Sequence, residues 1–257
     1  APRVSRPAVG SRGPLSVGRG MMAGVYQERP SRVPGAVLWS HTAARAGPSR
    51  VLPDGCMDLL LLGGRLVVAG PDSTADVGSA APGSRVSGLR LAPGEGPGFF
   101  GVRAWEVRDL RVPLADLWPE AAVRELTERA HESGPRALEE AALGRLRGVR
   151  TGGPPEPPPG LVPLLEAGAG VAEAARRLDL GERRLHRRCL DAFGYGPKTL
   201  ARILRFQRAW ALLHARGLPG AETAHRAGYA DQAHLAREFR ALAGAPAGVV
   251  LAERGLR

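Results

Sequence analysis

The sequence predicts an α+β protein, with a β-rich N-terminal half and an all-helical C-terminal half. Three observations carry that prediction. Before residue 110, short apolar runs alternate with turns rich in Gly, Pro and Asp. After residue 160, apolar residues recur at spacings of three and four, the period of an α-helix. Between them lies Thr151–Gly160, built almost wholly of Pro and Gly, which forms neither helix nor sheet. A length of 257 residues suits two modest domains. We place a β-rich domain ending in helices at 25–147, a linker at 148–160 and a helical domain at 161–257. Residues 1–24 read as a disordered extension rich in Arg, Pro, Gly and Ser, without the apolar core of a secretory signal. Met21 and Met22 mark a candidate biological start.

In chain order, Ala36–Trp39 is a short apolar strand, and Val51–Leu62 follows with Pro53-Asp54-Gly55 as a turn or bulge. Leu59–Leu62 and Arg65–Ala69 flank Gly63-Gly64, the signature of a hairpin whose two-residue turn needs positive φ. Arg85–Leu91 and Phe99–Val107 are further expected strands, separated by a Gly/Pro loop. Pro119 then stands where a helix begins, with Ala122, Val123, Leu126 and Ala130 as its stripe. Pro135 opens a second helix carrying Leu138, Ala141, Ala142 and Leu146.

The C-terminal half contains an internal repeat. Residues 171–194 align with 221–244 at an offset of 50, with Ala174/Ala224, Arg176/Arg226, Leu185/Leu235, Arg187/Arg237 and Gly194/Gly244 identical. In the first copy, Val171, Ala174, Ala175 and Leu178 form the buried stripe of one helix. Asp179-Leu180-Gly181 turns the chain, and Glu182–Phe193 forms a second helix. Leu185 and Cys189 point inward on it, leaving Arg183, His186 and Arg187 on the opposite face. In the second copy, Gly228 takes the turn and Asp231 is a good N-cap. Leu235, Phe239 and Leu242 then form one apolar stripe, with Gln232, Ala233, His234, Arg237 and Arg240 lying off it. Pro197–Ala215 between the copies has helical periodicity, and Gly217 and Pro219 end it.

The net charge is +11, of which +7 falls from Gly160 onward, nearly all of it as Arg. A dense positive charge beside exposed amide, imidazole and guanidinium groups favours a polyanion partner. No run of 18 apolar residues is present, so no membrane-spanning helix is expected. Cys56 and Cys189 form no C-x-x-C pair, and only His41 and His131 precede the linker. We therefore expect no metal site, no cofactor and no enzyme activity. Asp54, Cys56 and Asp58 form a candidate sensing cluster, in which the thiol is either reactive or a small buried hydrophobe. Trp39, Phe99, Phe100 and Trp105 line a pocket or simply pack in a core.

The stretch Gly228-Tyr229-Ala230-Asp231-Gln232-Ala233-His234-Leu235-Ala236-Arg237-Glu238-Phe239-Arg240 resembles the second helix-turn-helix of the AraC/XylS family of bacterial transcription regulators. The resemblance implies two helix-turn-helix units joined by a rigid helix. It implies base-reading positions at Arg183, His186 and Arg187 in the first recognition helix and at Gln232, Ala233, His234 and Arg237 in the second. Arg205 and Arg240 are read as contacts to the DNA backbone. The pattern departs from the family at Cys189, where a larger apolar residue is usual. It departs again after Gly244-Ala245-Pro246, where Val249-Val250 replaces an aromatic, so a shortened or repacked last helix is expected. Val51-Leu52-Pro53-Asp54-Gly55-Cys56-Met57-Asp58-Leu59, Val68–Asp72 and Val112–Leu117 are similar to an N-terminal domain of unknown function attached to such regulators in actinobacteria. That likeness implies a small cupin-like sensing domain.

The expected protein is a cytoplasmic regulator that binds double-stranded DNA and answers to an unidentified small-molecule effector. RNA polymerase and a second copy of the chain are further candidate partners. One alternative is an electrophile or redox sensor acting through Cys56. Another is a ligand-binding or catalytic protein whose C-terminal helices bind protein.

Overall fold

The computed structural model describes residues 24–148 and 156–254. Residues 1–23 of the expected extension and 149–155 of the expected linker lie outside the described residues. The N-terminal half contains β1 (Gly24–Pro30), β2 (Val37–Ala43), β3 (Gly47–Val51), β4 (Asp58–Leu62), β5 (Arg65–Ala69), β6 (Asp76–Ala80), β7 (Arg85–Arg90) and β8 (Arg111–Pro113). Six strands form an antiparallel sheet in the order β1-β2-β7-β4-β5-β8, and β3 pairs with β6 in a second small sheet. The β4–β5 hairpin closes as expected through Gly63 and Gly64, at φ of 54° and 78°. It sets Leu59 opposite Val68.

Both faces of the large sheet are covered. Leu38, Leu59, Leu66, Val68 and Leu89 lie on one face, in a core shared with α1 (Gly96–Phe100), α2 (Glu120–Ser133) and α3 (Pro135–Gly148). Trp39, Asp58, Leu60, Val67, Val86 and Arg90 lie on the other, facing β3, β6 and the helical half across a cavity. This two-sided cover explains why β4 reads as an unbroken apolar run after Asp58.

The expected strand Phe99–Val107 is corrected. Phe99 and Phe100 end α1, Gly101 stops it at φ 78°, and Ala104–Glu106 is a 3-10 turn. Successive strand residues point to opposite faces. Here both phenylalanines are almost wholly buried in one core, with Phe99 edge-on to Trp118 at 5.2 Å. A helical turn is the conformation that delivers both rings there.

The helical half consists of α4 (Leu161–Glu166), α5 (Val171–Arg177), α6 (Glu182–Phe193), α7 (Pro197–Arg216), α8 (Gly220–Ala227), α9 (Gln232–Ala243) and α10 (Ala247–Glu253). The long α7 runs through its centre, burying Leu200, Ile203, Phe206 and Trp210. Phe206 and Trp210 both reach Phe239 of α9, with ring centroids 4.9 and 5.9 Å away. The last helix, α10, is seven residues long and anchors through Val250.

The two halves are docked. Leu52 and Ala75 pack with the core of the helical half. The Ala75 N–H donates to the Leu242 carbonyl at 2.7 Å, and Gln207 Nε2 donates to the Pro53 carbonyl. Arg50 grips Glu253 through two bonds of 2.9 and 3.1 Å and also donates to the Ala243 carbonyl. The described end of the Pro/Gly stretch, 156–160, is exposed at Glu156, Pro159 and Gly160 and touches the helical half. Pro158 is buried, and Arg188 of α6 donates to the Glu156 carbonyl at 3.1 Å.

Candidate nucleic-acid interface

Each copy of the internal repeat forms a helix, a tight turn and a second helix. In the first, α5 leads to α6 through Asp179, which takes a positive φ of 50°. In the second, α8 ends at Gly228 with φ 83°, and Asp231 caps α9 by accepting the His234 N–H at 2.6 Å. A left-handed turn residue suits Gly best and Asp tolerably, so each copy places it with an admissible side chain. The repeat partners share environments. Ala174 and Ala224 are buried, as are Leu185 and Leu235, and Cys189 and Phe239. Gly194 and Gly244 each close the second helix in the left-handed conformation. Cys189 therefore fills the position of a large apolar residue, and burial pushes its thiol up to about 12.

The outward faces carry the expected base-reading groups. Arg183, His186 and Arg187 are exposed on α6, and Gln232, Ala233 and Arg237 are exposed on α9. His186 lies over Gly196 at the start of α7, where a Cβ would stand only 2.6 Å from its ring. Gln232 lies similarly over Gly220, at 2.9 Å. Glycine at those two positions is what lets the side chains sit there. His234 is half-buried. Its Nδ1 accepts the Ala230 N–H at 3.4 Å and its ring meets Tyr229 edge-on at 5.2 Å, which leaves Nε2 to face outward.

The rod between the units is 20 residues long, or about 30 Å at 1.5 Å per residue. Successive major-groove segments on one face of a duplex repeat at about 34–36 Å. Arg240 is exposed, as a phosphate contact requires. Arg205, read from the sequence as a contact to the DNA backbone, also has partners within the protein. Its guanidinium stacks on Tyr229 at 4.7 Å, faces Glu238 at 3.9 Å and has a buried Nε. With the Arg202–Glu238 pair at 3.0 Å, it ties α7 to the second unit.

The N-terminal candidates also converge. Asp54 accepts the Cys56 N–H at 2.9 Å, closing a turn over Gly55. Asp54 and Asp58 flank Arg90 at 3.3 and 3.4 Å, and Asp58 accepts the Trp39 indole N–H at 2.6 Å. Burial opposes the Arg90 cation, but Asp58 and Asp54 hold it charged. Burial, reinforced by Asp54, pushes the Cys56 thiol well above its ordinary value. The four aromatics named above are divided. Trp39 lines the cavity, Phe99 and Phe100 lie in the core, and Trp105 is exposed. Arg90, Gln207 and Arg254, which also line the cavity, escaped sequence reasoning because no local pattern marks a charged or amide group that tertiary contacts bury.

Among the described residues, no helix is long and apolar enough to cross a membrane. Nor does any group of three or more His, Cys, Asp or Glu side chains stand ready to hold a metal ion. No curated protein matches the chain. Solved structures similar in layout are an apo variant of ToxT from Vibrio cholerae, at 10% identity and TM-score 0.48, covering 87% of this chain and 99% of that one. ToxT in another crystal form is similar at 9% identity and TM-score 0.47, covering 89% and 98%. ToxT bound to an unsaturated fatty acid is similar at 9% identity and TM-score 0.44, covering 87% and 97%. Residues 174–253 match a family model described as a helix-turn-helix domain, a span that runs from α5 through α10. Residues 174–253 therefore form a helix-turn-helix domain, preceded by a β-rich antiparallel region.

Proposed function

We propose that the protein is a one-component transcription regulator that reads double-stranded DNA with α6 and α9 and answers to a small molecule held by its β-rich half. One observation carries this reading: two equivalent helices present Arg187 and Arg237 at matching exposed positions, on either side of a rod about 30 Å long. Arg183, His186 and Arg187 then read one groove segment, and Gln232, Ala233, His234 Nε2 and Arg237 read the next. A guanidinium can grip guanine O6 and N7 with two bonds, and Ala233 offers a methyl group to thymine. Arg240 supplies a backbone contact. A second copy joined through the β-rich half, and RNA polymerase recruited beside the site, complete the set of partners.

The thiol-sensor reading is the weaker one, because a protonated Cys56 beside two carboxylates is a poor nucleophile. The rival in which the helices bind only protein is separated by direct selection. Full-length protein is crosslinked to its genomic DNA, and the retained fragments are sequenced and then tested against scrambled duplexes at physiological salt. Recovery of a shared motif bound more tightly than the scrambled control supports the regulator reading. Equal retention of all sequences overturns it.

A further inference from the structure

The first turns of α6 concentrate cations that nothing in the protein answers. Arg183, Arg184 and Arg187 are exposed there, and among the described residues none of them has a hydrogen bond, an ion pair or a ring to stack on. Their neighbours are served. Arg177 holds Glu173 at 2.6 Å, and Arg188 donates to the Glu156 carbonyl at 3.1 Å. The acids of α6 itself are turned elsewhere. Glu182 falls on the flank of the buried Leu185 and Cys189 stripe, at spacings of three and four, and Asp191 is buried and faces Arg103 at 3.9 Å. The arrangement destabilises α6 in two ways. Arg183 and Arg187 are like charges one turn apart, and Arg183 and Arg184 sit in the first turn, where the helix dipole favours an acid. A polyanion laid against this face relieves both.

The second copy of the repeat is built differently at the same places. At an offset of 50, Arg187 matches Arg237, but Arg183 matches Ala233 and Arg184 matches His234. The first helix therefore offers three guanidiniums where the second offers one, with an imidazole and a methyl group. A guanidinium only donates. In the major groove guanine shows two acceptors, O6 and N7, whereas adenine pairs one acceptor with a donor and thymine pairs one acceptor with a methyl group. Two-bond contacts from guanidiniums therefore select guanine. His186 donates or accepts according to its tautomer, so it leaves that choice to the arginines.

We propose that the two helices read segments of different base composition. α6 takes a guanine-rich segment, in which Arg183 and Arg187 each grip a guanine. Arg184, about 100° round the helix from Arg183, holds phosphates at the groove wall. α9 takes one guanine through Arg237 and one thymine through Ala233. The preferred DNA is then not one segment written twice, and the protein sits on it in a single direction. This assignment of bases rests on the regulator reading and names the DNA which that reading leaves open.

Full-length protein is used to select from duplexes randomised over both segments. The segment that Arg187→Ala relaxes should hold at least two guanines, and the segment that Arg237→Ala relaxes should hold one guanine and a thymine. On the selected duplex, 7-deazaguanine, which lacks N7, should weaken binding by the unaltered protein about tenfold at each guanine facing α6. Deoxyuridine in place of the thymine facing Ala233 should weaken it about threefold, and Ala233→Gly should remove that difference. Arg183→Lys keeps the charge and loses the fork, so it should relax one guanine position and leave the salt slope unchanged. Arg184→Ala should weaken every duplex alike and lower the salt slope by about one unit. An α6 segment rich in A·T pairs, or one indifferent to 7-deazaguanine, overturns the proposal, as do two segments of the same composition. An unchanged salt slope with Arg184→Ala overturns the role given to Arg184. If duplexes are enriched without the contrast between segments, the assignment of bases falls and the regulator reading stands. If none is enriched, the regulator reading itself falls.

Discussion

Replacing Arg50 by Ala should loosen the β-rich half from the second helix-turn-helix unit. Arg50 and Glu253 are 11% and 18% exposed at their side chains, so water screens the pair only partly. An exposed pair contributes about 0–1 kcal/mol, and breaking a fully buried one costs about 3–5 kcal/mol. The observed burial lies nearer the second case. The variant also strips a charge-assisted bond from the Ala243 carbonyl, next to the left-handed Gly244 that closes α9. A loss of about 2–3 kcal/mol of docking free energy follows. That is about 30- to 140-fold in the ratio of docked to undocked states, at tenfold per 1.4 kcal/mol. Hydrogen exchange reads it directly, through the Ala75 amide that bonds to Leu242 and through the amides of α10. Those amides should exchange faster by that factor, while amides of the β4–β5 hairpin stay unchanged. Arg45→Ala, on an exposed loop, serves as the control. A cycle with Glu253→Gln should recover most of the loss as coupling between the two positions. Unchanged exchange at Ala75 and α10 would refute the claim that this pair holds the halves together.

Other outcomes follow from single contacts. Phe239→Ala removes a fully buried ring that both Phe206 and Trp210 touch, and should cost about 3–5 kcal/mol in urea unfolding. A loss below about 1 kcal/mol would mean the site collapses freely. Cys56 should react with iodoacetamide at pH 7 more slowly than a free thiol, and the rate should still be rising above pH 9, because burial and Asp54 raise its pKa. Fast alkylation at neutral pH would restore the thiol-sensor reading. Arg240→Ala should lower the salt slope of DNA binding by about one unit, whereas Arg205→Ala should act chiefly on the stability of the second unit, where it stacks on Tyr229. A reduced salt slope with unchanged stability in Arg205→Ala would return Arg205 to the phosphate interface.

The helical half was legible because its logic is local. A turn residue, an N-cap and an i, i+3, i+4 stripe all fall within about a dozen residues, and the 50-residue offset shows them twice. The β4–β5 hairpin was legible for the same reason, since Gly63-Gly64 states its own turn. Phe99–Val107 was not, because two adjacent aromatics suit a strand by propensity and only the tertiary core shows that both must face one way. The two-stranded β3–β6 sheet was hidden because its polar residues carry little periodicity. The contacts of Arg205 with Tyr229 and Glu238 were not legible because they are made across helices. Arg254 was invisible as a candidate for the converse reason: its neighbours in sequence are ordinary, and its burial comes from Trp210, more than forty residues away.

Whether the two equivalent helices read two groove segments is shown by methylation interference on the recovered operator. The unaltered protein, Arg187→Ala and Arg237→Ala are compared on the same duplex. Two sensitive segments are expected on one DNA face, about 10–10.5 base pairs apart between centres. Each variant should lose discrimination at one position in its own segment, by about 1–3 kcal/mol, and leave the other segment intact. A single sensitive segment, or a uniform loss over every position with either variant, would contradict the two-segment reading.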